Sequence, residues 1–120
     1  MTDANTTLAE LKQRVHALCL EKGWGDEGIQ NPQHVAMAMT VEMSELLEHF
    51  QWLRYDQVQG LLRGEDKARI AQIGEEFADV MMYGLQLMRS LNIDITEEIL
   101  RKIEIVKLRD NGVKALEQKR

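Results

Sequence analysis

Cysteine and proline each occur once, as Cys19 and Pro32. A lone cysteine closes no internal disulfide, and no Cys/His grouping has zinc spacing, so Cys19 reads as a buried apolar residue. One proline, with 44% hydrophobic and 29% charged residues, excludes a collagenous or disordered chain. Aromatics make up only 5%, which makes each of them informative. No apolar run approaches the ~20 residues of a membrane span. The opening MTDANTTLAE carries neither the basic flank nor the apolar stretch of a signal peptide, so a cytoplasmic protein with no membrane partner is the simplest expectation. Excess positive charge is missing too. A net charge of -5 argues against a nucleic-acid polymer as partner, because such binding needs clustered Lys and Arg to displace counterions. Free nucleotides stay compatible with that charge if a cation mediates.

What is present is helical periodicity within a length, 120 residues, that fits one domain over 1–120 and suffices for a core. Thr7 and Glu10 have capping-box spacing, and Leu8, Leu11, Val15, Leu18 and Cys19 recur at three and four, predicting a helix that ends near Gly23. GWGDEGIQN breaks the period. Asn31 as cap and Pro32 in the first turn open a second helix, with Val35, Met39, Met43, Leu46, Phe50 and Leu53 on one side over about six turns. Tyr55 to Asp66, with two glycines, reads as a connection holding at most one short turn. A third helix carries Ile70, Ile73, Phe77, Val80, Met81, Gly84 and Met88 and ends at Asn92. Asp94 and Glu97 then cap a fourth bearing Ile99, Ile103 and Val106. The tail NGVKALEQKR is polar and expected to be loosely held. Nothing alternates with a period of two. The expected class is all-α, a bundle whose broad apolar faces suit packing within the chain or against a second copy.

EMSELLEHFQW, from Glu42 to Trp52, places a carboxylate where an apolar residue belongs. At about 100° per residue Val35, Leu46, Met39 and Leu53 fall within about 40° of one another, and Glu42 lies about 20° outside them. Glu45 adjoins at i+3. GEEFADVMMY repeats the arrangement, with Glu76 among Val80, Tyr83 and Leu87 and Asp79 at i+3. Four gathered carboxylates repel one another unless protonated or bound to metal. Oxygen donors without imidazole or thiolate favour Mg²⁺ or Mn²⁺, and a cation shared with phosphate lets an acidic pocket take a polyanion. The competing reading is a solvated acidic face. Di-iron bundles need Glu-x-x-His pairs on two helices, and none exists. His49 reads as a helix-surface histidine.

E-x-x-E in EMSELLEHFQW followed by E-x-x-D in EEFADVMMY resembles the MazG-like all-α nucleoside triphosphate pyrophosphohydrolases, nearest their dCTP pyrophosphatase branch, from about Leu8 to Lys107. The resemblance implies a four-helix MazG-like subunit, and apolar faces too broad for one layer to cover predict its completion by self-association into a homodimer or homotetramer. The resemblance also implies Mg²⁺-dependent cleavage of a nucleoside triphosphate between the α and β phosphates, in the service of the nucleotide pool. Glu42, Glu45, Glu76 and Asp79 match the family's metal ligands, with Glu45 also chosen to orient the attacking water. Trp24 and Trp52 match base-holding aromatics, His16 the histidine ahead of the first tryptophan, Tyr83 the tyrosine after the acidic pair, and Lys102 a phosphate-contacting lysine. Gln30 and His34 stand where many relatives carry His and Asn. The alternatives are a phosphoribosyl-ATP pyrophosphohydrolase-like enzyme and a non-catalytic helical binding module.

Overall fold

Thr7 accepts a hydrogen bond from the Glu10 amide at 3.1 Å, and the Glu10 side chain in turn accepts one from the Thr7 amide. That reciprocal cap satisfies two amides that a helix start otherwise leaves without partners. It opens α1 (Leu8–Lys22), which stops at Gly23 in the left-handed conformation. A computed structural model describes residues 1–109; the polar tail, 111–120, lies outside the described residues. Four further helices follow: α2 (Pro32–Glu48), α3 (Tyr55–Leu62), α4 (Lys67–Ser90) and α5 (Ile95–Lys107). Asn31 caps α2 through the Gln33 and His34 amides, and Asp94 caps α5 through the Glu97 amide at 2.9 Å.

The described residues are all-helical, apart from one two-residue backbone pairing between Asp26 and Ile29. Two expectations need correction. Among the described residues there are five helices, not four, because Tyr55–Leu62 forms a helix of 8 residues. Gly60 lies inside it, and Gln57 closes its start by accepting from the Arg54 amide at 2.9 Å. The second helix also ends earlier than the apolar period suggests. It closes at Glu48, and the chain turns through His49 to Leu53 with i+3 bonds such as Leu53 N–H to the Phe50 carbonyl at 3.0 Å. No glycine or proline marks that end.

Helix α4 is the axis of the subunit. α2 lies along it most extensively, α1 packs on its C-terminal half, and α3 touches it more slightly. Val15 and Cys19 of α1 meet Leu85 of α4, with Leu8, Met82 and Ile95 packed around them. Lys12 fastens the same end by donating its ammonium to the Ile93 carbonyl at 2.5 Å. Among the described residues the buried hydrophobics are only Val15, Cys19, Val35, Val80 and Leu85. Met37, Val41, Leu47, Phe77, Ile99 and Leu100 are each more than half exposed. One copy leaves extended apolar surface facing water, which a soluble monomer rarely does.

Candidate functional site

The pairing of α2 with α4 brings the two acidic motifs face to face. One carboxylate oxygen from each of Glu42, Glu45 and Glu76 lies within 4.8 Å of the other two. Glu42 and Glu76 are half-buried, as their place on the helical wheel predicts, and Glu45 is exposed. Oε2 of Glu42 and Oε2 of Glu76 are buried with no hydrogen-bond partner. Asp79 is exposed and stands beside the trio, not within it, close enough for its charge to act on Glu42. Desolvation raises the Glu42 carboxyl above its ordinary 4.5, and the charges of Glu45, Asp79 and Glu76, with a hydrogen bond that protonated Glu42 donates to Glu45, push the same way.

Buried carboxylate oxygens without partners are costly. Here they face other carboxylates, so the arrangement holds its charge badly by itself. The donors are all oxygen, and one position opens to solvent. That set suits a hard divalent cation such as Mg²⁺ or Mn²⁺, which keeps part of its water shell and shares the rest with phosphate. Glu42, Glu45 and Glu76 would hold it, with Asp79 adjoining.

His49 is not the surface histidine the sequence suggested. Its Nε2 lies 3.9 Å from Glu76 Oε1, with the side chain 20% exposed. Arg69 holds the backbone there by donating from Nη1 to the His49 carbonyl at 3.1 Å, and Arg69 is itself paired with Asp66 at 3.2 Å. The turn after α2 thereby aims imidazole at one carboxylate of the trio.

Beside the acids lies a cavity of about 230 Å³. Glu42, Asp79 and Tyr83 line its helical wall, Trp24 borders it from the loop, and Gln30, Met82 and Gln86 complete it. The loop owes its shape to glycine. At Gly25, φ is +73°, and a Cβ would come within 2.3 Å of the Ile29 carbonyl oxygen, so only glycine permits this turn. A narrow adjoining cleft is lined by His16, Lys12 and Arg89 and shares Gln30 and Gln86 with the first cavity. A wider hollow of about 340 Å³ shares Gln30 and Tyr83 and reaches Asn31 and His34 at the start of α2.

Of the residues singled out in the sequence, Glu42, Asp79, Trp24 and Tyr83 therefore share one cavity wall. Glu45 and Glu76 adjoin it through the trio, and His16 lies in the neighbouring cleft. Trp52, 84% exposed, and Lys102, exposed on α5, line none of these cavities. Sequence reasoning passed over Gln86. Its signal was available, since it sits seven residues after Asp79 and so two turns along the same face of α4.

A sequence profile described as the MazG-like family matches residues 37–119. The chain belongs to the MazG-like family. Among relatives of this MazG-like chain, dCTP pyrophosphatase 1 of Rattus norvegicus is 30% identical over 99 residues, covering 82% of this chain and 55% of the rat protein. dCTP pyrophosphatase 1 of Homo sapiens is 31% identical over 100 residues, covering 82% and 56%. The chain thus spans little more than half the length of these relatives. A crystal structure of a pyrophosphatase from Archaeoglobus fulgidus superposes with a TM-score of 0.72 at 27% identity, covering 91% of this chain and 96% of that one. The MazG-like match takes in α4 and most of α2, the two helices that carry the carboxylates.

Proposed function

We propose that this MazG-like chain, as one domain over 1–120, is a Mg²⁺- or Mn²⁺-dependent nucleoside triphosphate pyrophosphohydrolase acting in the cytoplasm. It cleaves between the α and β phosphates to release a monophosphate and pyrophosphate, with dCTP the first substrate to try. The observation that carries this reading is the acidic trio, two of whose members hold buried, unpartnered oxygens, opening beside a cavity bordered by Trp24. The dCTP pyrophosphatase names of the relatives and the pyrophosphatase title of the structural neighbour support it.

Each residue then has a role in the chemistry. Glu42, Glu45, Glu76 and Asp79 are the ligand set; a divalent cation held there supplies charge neutralisation for the phosphates and acidifies the attacking water. Glu45, the exposed member of the trio, orients that water toward the α phosphorus. Trp24 offers a flat face on which a base stacks, and Tyr83 and His16 border the space the nucleoside fills. Trp52 and Lys102 stand apart from the cavity, so we assign them to the substrate site of a neighbouring copy in a homodimer or homotetramer. The exposed apolar faces of α2, α4 and α5 supply the driving force for that assembly.

The test is to incubate the protein with each deoxynucleoside triphosphate, with and without Mg²⁺, and identify the first phosphate product. Pyrophosphate released only with metal is expected. Orthophosphate as the first product, or release that ignores chelation, would refute the assignment. Trp24→Ala should raise KM by roughly 5- to 150-fold, in line with about 1 to 3 kcal/mol for stacking a base on an aromatic ring, which steady-state kinetics reads directly.

A further inference from the structure

Two neutral side chains share the cavity with Trp24 and the carboxylates, and the chemistry above gives them no part. Gln30, in the turn before α2, and Gln86, on α4, each hold Oε1 buried with no hydrogen-bond partner. Both line the Trp24 cavity, and both line the cleft beside His16. Among the described residues the other buried side-chain oxygens in this condition are those of Glu42 and Glu76, so the unmet acceptors gather around one place. The two kinds ask for different things. Carboxylate oxygens that face one another call for a cation. Carboxamide oxygens call for N–H donors, because a carbonyl oxygen accepts and cannot donate.

Resting on the nucleotide reading above, we propose that Gln30 and Gln86 select the base by accepting the two protons of an exocyclic amino group on a ring stacked against Trp24. One amino nitrogen carries two N–H bonds, and two acceptors await them. Cytosine and adenine present such a group. Uracil and thymine present a carbonyl oxygen in its place, which would set acceptor against acceptor and leave all of them unpaired. Recognition that depends on a buried hydrogen bond discriminates strongly, because the wrong ligand leaves the site's own polar atoms without partners.

The experiment uses the whole chain with Mg²⁺ and compares the non-hydrolysable α,β-imido analogues of dCTP and dUTP by calorimetry, alongside pyrophosphate release from dCTP and dUTP. The dCTP analogue is expected to bind at least about tenfold tighter. Gln86→Met and Gln30→Met, which keep length but remove the amide, should each bring the ratio toward one. Gln72→Met, on an exposed part of α4, should leave it alone, and melting curves confirm that each variant is folded. Equal binding of the two analogues by the unaltered protein would overturn the proposal. So would a ratio that both cavity variants retain, or a preference for dUTP, which would mean that the carboxamides donate toward a carbonyl. If hydrolysis continues in any of those cases, only the base assignment fails. If neither analogue binds and no triphosphate is cleaved, the nucleotide reading fails and takes this one with it.

Discussion

Helices α4 and α5 both carry apolar residues on one side, yet the subunit treats them differently. Along the C-terminal half of α4 the apolar side is covered, with Val80 and Leu85 each 4% exposed beneath α2 and α1, while Ile70 and Phe77 nearer its start stay open. Along α5 no residue is buried, and Ile99, Leu100 and Ile103 stay between 45% and 59% exposed. Propensity does not separate them, since each has a capping aspartate, Asp66 or Asp94, accepting from the amide three residues on. The difference is one of partners. α4 finds much of its complement within the chain and can hold charged side chains in place, whereas α5 presents an apolar surface that the other described residues leave open.

That contrast can be broken from either side. The largest effect should follow Glu42→Gln, expected to lower metal-dependent pyrophosphate release by at least about a thousandfold through loss of cation-borne charge stabilisation. The same variant should melt higher than the unaltered protein in chelator, because it removes a charge that its neighbours oppose. A variant that melts lower and keeps its activity would show that the trio is not a metal site. Leu85→Ala should cost about 2 to 5 kcal/mol by leaving a cavity in the α1–α4 core, read by denaturant melts, with activity kept in the folded fraction. Ile103→Asp should instead leave helicity unchanged and weaken self-association by about tenfold or more, since a carboxylate in an apolar contact loses its water without gaining a partner. Light scattering across a dilution series measures it. If mass is unaltered, α5 is not the assembly surface.

The smallest effect is on pH dependence in metal-free buffer. Burial and like charges hold the Glu42 carboxyl above 4.5. Between 4.5 and the raised folded value, the native protein keeps a proton that the unfolded chain has lost. Glu42 therefore makes stability fall as pH rises through that window, the reverse of a salt-bridged carboxylate. Saturating Mg²⁺ should erase that slope, because a bound cation favours the ionised form. Melting temperatures between pH 4 and pH 8, with and without the metal, test it.

Much of this arrangement can be read from the residues alone, for stated reasons. Thr7 with Glu10, Asn31 with Pro32 and Asp94 with Glu97 mark helix starts because capping is local chemistry. The inward lean of Glu42 and Glu76 follows from the helical repeat. The α3 helix was hidden because Gly60 resembles a breaker, and glycine only weakens a helix by about 1 kcal/mol. The end of α2 carries no local mark, since the turn at His49 is held by Arg69, twenty residues away. Gln86 was silent for another reason. A carboxamide bears no charge and suits exposed and buried places alike, so its importance shows only when its neighbours in space are known.

Gly28 sits at φ +77°, and a Cβ there would come within 2.9 Å of the His16 imidazole. The loop bearing Trp24 is therefore seated against α1, while the carboxylates ride on α2 and α4. On the proposed reading, Trp24 thereby rests on a piece of the scaffold apart from the acidic helices, while Tyr83 and Gln86 share α4 with Glu76 and Asp79. If the proposed activity holds, changes in α1 and its loop would re-aim the aromatic face without disturbing the helices that carry the carboxylates.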